Sequence, residues 1–319
     1  MIIILLLLIT GLVLLIFGAD KLVDAASGLA ANFGIPNIII GLTVVAFGTS
    51  APELVVNIMA AFKGSSEMVL GNVLGSNIFN VLGILGISAL IYPLAVKTNT
   101  TWIEIPLSLL AAVSVWVLAG DRLLNSMDND VVSRGDGLIL LLFFTVFLVY
   151  NITISRNPGQ DPESVETKSY STGKALVWII LGLTALVIGG KLIVDNAVFL
   201  AREFGWSERV IGLTIVSIGT SLPELATSVA AVRKKKVDIA IGNVVGSNIF
   251  NVFFILGLSA VIGPVTVGAG NFMDILLNIV AGILLFIFVF TGKGRRLERW
   301  EGLFFLVIYV VYLGGLLLY

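Results

Sequence analysis

The sequence predicts an all-α polytopic membrane protein, with ten transmembrane helices arranged as two inverted-topology five-helix repeats. Three observations carry this prediction. The chain of 319 residues has a mean hydropathy of +1.07, with 58% hydrophobic and 12% charged residues, which lies outside the composition of soluble domains. Its apolar runs are long enough to cross a bilayer. Its two halves also repeat one another at a constant offset.

Ten apolar segments approach the length of a membrane-spanning helix, which is roughly 20 residues. Their continuous Leu, Ile, Val and Phe runs lack the alternation of a transmembrane β-barrel, so helices are expected. The segments are 2–19, 37–62, 68–92, 101–120, 136–155, 174–198, 209–232, 238–262, 271–291 and 300–318. The first segment has no basic start and no small-residue cleavage site, so we expect a retained span and not a signal peptide.

The distribution of Lys and Arg predicts the orientation. If the ten segments cross in turn, thirteen of the nineteen Lys and Arg residues fall on the side opposite the termini. The positive-inside rule then makes both termini extracytoplasmic. We expect a multi-pass protein of the cell (inner) membrane, with the lipid bilayer as its surroundings. The net charge of −1 gives no support for a nucleic-acid partner.

The internal repeat defines the expected domains. Shifting the sequence by 171 residues aligns 41–93 with 212–264 without a gap, with 29 identities in 53 positions. Weaker matches upstream extend the unit to five helices, and an odd number of helices in tandem gives inverted topology. The expected divisions are a first five-helix repeat, a cytoplasmic linker and a second five-helix repeat, at 1–155, 156–173 and 174–319.

The polar motifs inside these apolar segments also occur twice. GTSAPEL at 48–54 returns as GTSLPEL at 219–225, and GNVLGSNIFN at 71–80 returns as GNVVGSNIFN at 242–251. A duplicated scaffold would need only apolar periodicity. The retained polar residues therefore favour a transport site shared by two halves that exchange access to the two membrane faces.

Two glutamates, Glu53 and Glu224, lie near the middle of their predicted spans. A carboxylate at the bilayer midplane costs about 2.5–3.5 kcal/mol on insertion scales, so it is expected to face the bundle interior and to have a function. Spans 2, 3, 7 and 8 carry no Lys or Arg at comparable depth. The carboxylates therefore predict a cation site, and a pair of protonated glutamates bonded across the bundle is the alternative.

A proline precedes each glutamate and predicts a break in its helix. Pro52 and Pro223 have no N–H, so the carbonyls four residues earlier lose their helical partners. In the bilayer, such a break is tolerated where it faces protein or a water-filled cavity. A threonine also lies four residues before each glutamate, on the same helix face, at Thr49 and Thr220.

A polar stripe runs along spans 3 and 8, where three residues spaced by four share one helix face. The stripe consists of Asn72, Ser76 and Asn80 in span 3, and of Asn243, Ser247 and Asn251 in span 8. Neighbouring GxxxG glycines permit close approach of helix backbones. We therefore expect the stripe to pack against the broken helix and its glutamate.

The candidate ligands are carboxylate, hydroxyl, amide and carbonyl oxygens, and the chain has no His and no Cys. This set suits hard cations and argues against Zn²⁺, Cu⁺ or haem, so no cofactor is expected. Ca²⁺ accepts roughly six to eight oxygens in a flexible geometry, whereas Mg²⁺ demands a tight octahedron. Two glutamates balance one Ca²⁺, and the same oxygens suit Na⁺.

At these motifs the sequence resembles the sodium/calcium exchanger branch of the Ca²⁺:cation antiporter superfamily, in its short prokaryotic form. The likeness covers essentially the whole chain and rests on the paired repeats GLTVVAFGTSAPELV with GNVLGSNIFN, and GLTIVSIGTSLPELA with GNVVGSNIFN. It implies a secondary active antiporter that exchanges Ca²⁺ for Na⁺ by alternating access and functions as a monomer. Proton/calcium exchangers place an acidic residue after their GN motif, and this chain does not.

Motif matching implies specific ligands. The Ca²⁺ site would be formed by Thr49, Glu53, Thr220 and Glu224. The Na⁺ sites would use Ser50, Ser76, Asn80, Ser221, Ser247 and the carbonyls of Ala46 and Ser217. Some family members, and the potassium-dependent branch, have Asp where this chain has Asn251. With two acidic groups instead of three, the resemblance implies K⁺-independent transport.

Two alternatives stay open. A proton-coupled antiporter of Ca²⁺ or another cation would use the same glutamates, because desolvation favours the protonated form of a buried carboxyl. An intramembrane hydrolase with Ser50 or Ser76 as nucleophile would lack the usual His or Cys and has no Lys at site depth. A passive channel is disfavoured by the inverted duplication around one midplane site.

Overall fold

The computed structural model describes residues 2–156, 170–203, 217–291 and 294–318, and these ranges are almost entirely helical. The helices of the first half are α1 Ile2–Phe33, α2 Asn37–Thr49, α3 Ala51–Phe62, α4 Ser66–Ile91, α5 Thr100–Leu118, α6 Asp121–Asn125 and α7 Arg134–Arg156. Those of the second half are α8 Thr172–Glu203, α9 Ser217–Thr220, α10 Leu222–Arg233, α11 Val237–Ile262, α12 Ala269–Thr291 and α13 Arg299–Leu318.

The described helices follow the predicted spans in order. Within the described ranges, eight helices are long and apolar enough to cross a membrane, and the bent pair α2–α3 makes a ninth span. The predicted seventh span corresponds to α9 and α10, and its beginning, 209–216, lies outside the described residues. Most of the predicted linker, 157–169, lies outside them as well. The protein is thus a polytopic helical membrane protein built from two repeats.

Helix α1 is longer than predicted. Charged residues end the apolar run at residue 19, yet the helix continues to Phe33. Two of those charges, Asp20 and Asp24, are bonded by Lys234 from the loop after α10. A charge with a partner inside the protein does not have to leave the bundle, so the helix extends past the point at which hydropathy stops.

Each half contains the predicted helix break. The chain bends by 49° between α2 and α3, at Ser50, whose φ of −81° and ψ of 9° leave the helical range. Ser221, between α9 and α10, has φ −88° and ψ 8°. The proline follows two residues later, at the second position of α3 and of α10, where its missing N–H costs little.

Helices α4 and α11 form the centre of the bundle, because both are buried over most of their length while the other spans are mainly exposed. At the crossing of α11 with α2, a Cβ on Gly242 would lie 2.7 Å from the carbonyl oxygen of Ile38. A Cβ on Gly246 would lie 2.8 Å from the Cα of Leu42. The GxxxG pair of the second half therefore serves close packing, as predicted. A Cβ on Gly71 would meet no neighbouring helix within 4 Å among the described residues.

Helices α1 and α8 pack against each other through crossed glycines. A Cβ on Gly11 would lie 2.8 Å from the carbonyl oxygen of Gly189, and a Cβ on Gly18 would lie 2.7 Å from that of Gly182. In the 171-residue repeat, Gly11 is equivalent to Gly182 and Gly18 to Gly189. The crossed pairing shows two equivalent helices running antiparallel about an axis between the halves.

Two short antiparallel ribbons join the halves at opposite faces. Strand β1, Leu94–Ala95, pairs with β4, Arg296–Leu297, and β2, Val131–Val132, pairs with β3, Val265–Thr266. Strands β1 and β3 are repeat equivalents. Hydropathy does not predict two-residue strands, because each ribbon pairs a loop of the first half with a loop of the second half.

Candidate cation site

The two helix breaks lie together at the centre of the bundle, and each serine reaches the glutamate of the other half. Ser50 Oγ donates to Glu224 Oε1 at 2.8 Å, and Ser221 Oγ donates to Glu53 Oε1 at 3.0 Å. Both glutamates are 1% exposed. The structure therefore brings the predicted residues of both halves into one site, and each half of the site contains atoms from both repeats.

The two threonines also bond across the repeats. Thr49 Oγ1 donates to Asn243 Oδ1 at 3.1 Å, and Thr220 Oγ1 donates to Asn72 Oδ1 at 3.2 Å. The Nδ2 atom of each asparagine donates in turn to the backbone carbonyl of the glutamate in its own half, at 3.4 Å and 3.2 Å. Asn72 and Asn243 thus tie the stripe of α4 and α11 to the broken helices, as the sequence predicts.

The remaining predicted residues differ between the halves. Ser247 Oγ lies 2.9 Å from Ser50 Oγ and 3.4 Å from Glu224 Oε1, whereas no described atom bonds to Ser76 Oγ, its repeat equivalent. The carbonyl of Ala46 accepts the Ser50 N–H at 3.0 Å. Ser217 begins α9, and its side chain lies outside the described part of the chain.

Five buried oxygens of the site have no hydrogen-bond partner among the described residues: Glu53 Oε2, Glu224 Oε2, Ser76 Oγ, Asn80 Oδ1 and Asn251 Oδ1. A buried polar atom without a partner is costly, with a penalty of about 1–3 kcal/mol and more for a charged group. All five atoms are carboxylate, hydroxyl or amide oxygens, which are the atoms that coordinate hard cations. The arrangement is therefore suited to hard cations, which would supply the missing partners.

Two asparagines that the sequence reasoning did not select complete the network. Asn80 Nδ2 donates to Asn248 Oδ1 at 2.9 Å, and Asn251 Nδ2 donates to Asn77 Oδ1 at 3.0 Å. Asn77 and Asn248 fall outside the four-residue stripe, which is why periodicity missed them. The available signal was the repeated Ser-Asn pair in both GSNIFN motifs.

A cavity of about 780 Å³ lies beside the helix breaks, next to the buried glutamates. Pro52, Thr220 and Pro223 line it at the helix breaks, and Lys191 and Asp195 of α8 also line it. The loop after α10 is bonded to α1 by Lys234, whose Nζ lies 2.6 Å from Asp20 Oδ1 and 2.8 Å from Asp24 Oδ1. The cavity and the Lys234 ion pairs therefore give the two repeats different surroundings beside the site.

Comparison with known proteins decides the family. The family model described as sodium/calcium exchanger protein matches residues 3–153 and 174–318. The chain belongs to the sodium/calcium exchanger family. This exchanger is 41% identical to the inner membrane protein YrbG of Escherichia coli over 81% of this chain and 79% of that protein. It is 35% identical to the sodium/calcium exchanger MaX1 of Methanosarcina acetivorans over 97% of both chains.

A solved structure of the sodium-calcium exchanger NCX_Mj superposes on this exchanger with a TM-score of 0.83 and 30% identity, covering 98% of both chains. A more distant relative, 26% identical over 85% of this chain and 81% of its own length, is the Ca²⁺/H⁺ antiporter ChaA of Bacillus subtilis. The exchanger is therefore a membrane antiporter of the Ca²⁺:cation class and not an enzyme, which removes the hydrolase alternative.

Proposed function

We propose that this exchanger moves Ca²⁺ in exchange for Na⁺ by alternating access, without a requirement for K⁺ and without a cofactor. The observation that carries the proposal is that the two glutamates meet at crossed serine–glutamate pairs, and that five buried oxygens of the predicted ligand residues have no hydrogen-bond partner among the described residues. The likeness to MaX1 and NCX_Mj supports Na⁺ as the coupling ion.

The proposed Ca²⁺ ligands are the two carboxylates with the threonine one turn before each of them: Glu53, Glu224, Thr49 and Thr220. Two carboxylates neutralise one Ca²⁺. The Na⁺ ions would share the two glutamates and take the surrounding oxygens, those of Ser50, Ser76, Asn80, Ser221, Ser247 and Asn251 and the carbonyls of Ala46 and Ser217. Because both sets share the glutamates, Ca²⁺ and a full complement of Na⁺ compete for one site, and this competition couples the two fluxes.

The unit and its orientation follow from the same features. Residues 1–155 and 174–319 are the proposed repeats, joined by the linker 156–173, and each supplies half of the ligands. A site that is complete within one chain supports a functional monomer. The Lys and Arg distribution, together with the name of the inner membrane relative, supports an inner-membrane protein with both termini extracytoplasmic. In this orientation the cavity lies in the extracytoplasmic half of the bundle.

The test is uptake of ⁴⁵Ca²⁺ into proteoliposomes loaded with Na⁺ and diluted into Na⁺-free medium. We expect uptake that needs the outward Na⁺ gradient and is equal in choline and K⁺ media. A requirement for K⁺ would contradict the K⁺-independent assignment.

The likeness to ChaA favours one second candidate, a proton-coupled Ca²⁺ antiporter. The same assay decides between the two candidates when the vesicles are loaded without Na⁺, because a pH jump then supplies a proton gradient alone. Uptake driven by the pH gradient and unaffected by Na⁺ would reject Na⁺ coupling and assign the proton-coupled function.

A further inference from the structure

We propose that Asn77 and Asn248 are positioning residues. They fix the side-chain amides of Asn251 and Asn80 so that each turns its oxygen, and not its NH₂ group, towards the cations. The inference rests on the proposed function of the site and assigns a role to two residues that contribute no free oxygen themselves.

The orientation of Asn77 follows from its partner. Its side chain bonds the backbone carbonyl of Asn248 at 3.2 Å, and a carbonyl can only accept, so the bonded atom is Nδ2. The remaining atom, Oδ1, then faces Asn251 at 3.0 Å, and only a donor can meet it. Asn251 must therefore present Nδ2 to Asn77, which leaves its own Oδ1 for the site.

The other half contains the same arrangement. Asn248 Oδ1 accepts from Asn80 Nδ2 at 2.9 Å, and Asn248 Nδ2 points at the backbone carbonyl of Asn77 at a longer 3.5 Å. Both positioning asparagines are almost fully buried, so water does not compete for their bonds. Each one is bonded to the backbone of the other, which joins α4 to α11 where the two repeats meet.

These hydrogen bonds would determine two properties of the site: which amide atom faces the cations, and how many carboxylates the site contains. If either amide were reversed, an NH₂ group would face a cation and repel it. Asn77 also selects for an amide at position 251, because an ionised Asp there would place its oxygen against Asn77 Oδ1, two acceptors with no proton between them. Asn77 therefore favours a neutral residue at position 251 and helps to keep the site at two carboxylates.

The test is a double-mutant cycle between Asn77→Leu and Asn251→Ala. Two quantities are measured: the Na⁺ concentration that half-inhibits ⁴⁵Ca²⁺ uptake, and the rise in Tm that Na⁺ and Ca²⁺ produce in detergent. Loss of one hydrogen bond predicts that each single variant weakens Na⁺ binding roughly three- to tenfold. If Asn77 acts through Asn251, the double variant is weaker than Asn251→Ala alone by less than about twofold.

Three controls separate positioning from packing. When Asn77→Leu is combined with Asn80→Ala, the fold-changes in Na⁺ binding of the two single variants should multiply, because Asn80 bonds Asn248 and not Asn77. The twin cycle of Asn248→Leu with Asn80→Ala should be non-additive, and it answers the question if Asn77→Leu does not fold. Ser88→Ala, which removes a buried α4 hydroxyl without a described partner, should leave Na⁺ binding unchanged.

Multiplied effects in both cycles would overturn the positioning role. The Tm measurement does not depend on flux, so it separates this outcome from a failure of the proposed function. If wild type shows cation-dependent Tm shifts but no Na⁺-driven uptake, the transport proposal fails while the cycles still decide the inference.

Discussion

At the residue scale, the site is held together by hydrogen bonds between residues of opposite repeats. Ser50 completes Glu224, Ser221 completes Glu53, and each threonine bonds an asparagine of the opposite repeat. A hydrogen bond to a charged group contributes about 1.5–3 kcal/mol. These contacts therefore couple the two repeats energetically as well as geometrically.

Neutralising either glutamate should abolish exchange. In the proposed Ca²⁺ site, Glu53→Gln and Glu224→Gln each remove one of the two balancing charges while keeping side-chain volume. We therefore expect background ⁴⁵Ca²⁺ uptake with an unchanged elution profile in detergent. Glu104→Gln is the matched control, because Glu104 is a buried carboxyl on α5 bonded to Tyr150 at 2.6 Å. Exchange that survives in either site variant would show that the site lies elsewhere.

The two serines should differ in importance. Ser50 contacts both Glu224 and Ser247, whereas the described contact of Ser221 is with Glu53. We expect Ser50→Ala to raise the Na⁺ concentration for half-maximal exchange by about tenfold or more, and Ser221→Ala to raise it less. Ser259→Ala is the control, because the Ser259 hydroxyl bonds only its own helix, at Ile255. Equal effects of the two serine variants would contradict this reading of the asymmetry.

At the element scale, the function of the broken helices depends on their prolines. Without Pro52, the residue at its position would regain an N–H that can bond the carbonyl four residues back. The 49° bend between α2 and α3 would then compete with a continuous helix, which would carry Glu53 away from its serine partner.

Pro52→Ala should therefore raise the Tm or leave it unchanged while reducing exchange by at least about tenfold, since one lost charge-assisted bond is sufficient for that effect. Tm and ⁴⁵Ca²⁺ uptake are measured on the same preparation. Pro106→Ala, in α5, is the control for proline removal within a span. Full exchange in Pro52→Ala would show that the bend does not require the proline.

The crossing of α2 and α11 predicts a steric effect. A Cβ on Gly246 would meet the Cα of Leu42 at 2.8 Å and the Cβ of Ala46 at 2.9 Å, so Gly246→Val must separate the two helices. We expect a loss of stability of roughly 1–3 kcal/mol, the usual cost of overpacking, and a lower Na⁺ affinity, measured by thermal unfolding with and without Na⁺. Gly314→Val, where a Cβ meets no described atom within 4 Å, should change neither.

At the scale of the whole molecule, equivalent residues of the two repeats have different surroundings. Asp24 is buried and bonded by Lys234. Its repeat equivalent, Asp195, lines the cavity, and Lys63, the equivalent of Lys234, is exposed. If the repeats exchanged these two environments, the cavity would form on the opposite side of the site, as inverted repeats permit.

Lys234 bridges α1 and the loop after α10 through its ion pairs with Asp20 and Asp24, and we call this side of the bundle the closed side. Lys234→Met should weaken the closed side, because Met keeps the length of the side chain but removes both ion pairs. The chain has no cysteine, so single cysteines report access without a background. We expect faster thiol labelling at Ala25→Cys on the closed side and slower labelling at Val55→Cys in the cavity. Lys21→Met is the control, since the Lys21 ammonium lies over the rings of Phe17 and Trp178 and not against Asp20 or Asp24 in the described contacts. Unchanged labelling at both positions would show that Lys234 does not hold the closed state.

Much of this molecule was predictable from local sequence. The spans follow from hydropathy, and the breaks at Ser50 and Ser221 follow from a proline two residues later. The stripe from Asn72 to Asn80 follows from helical spacing. The length of α1 was not predictable from hydropathy, because its second half carries charged residues, two of which bond Lys234 from more than 200 residues away in sequence. The pairing of Asn77 with Asn251 was equally hidden, because it needs the two repeats in contact.

The sequence by itself determined the membrane location, the inverted duplication and the all-oxygen chemistry of the site, because apolar length, a constant offset and residue composition are properties of the chain alone. Only the tertiary structure decided which atoms are free for a cation. The hydroxyls of Ser50 and Ser221 donate to the glutamates of the opposite repeats, and Asn77 Oδ1 accepts a hydrogen bond from the amide of Asn251. Such bonds are set by distance and direction between the halves, and a linear pattern contains neither.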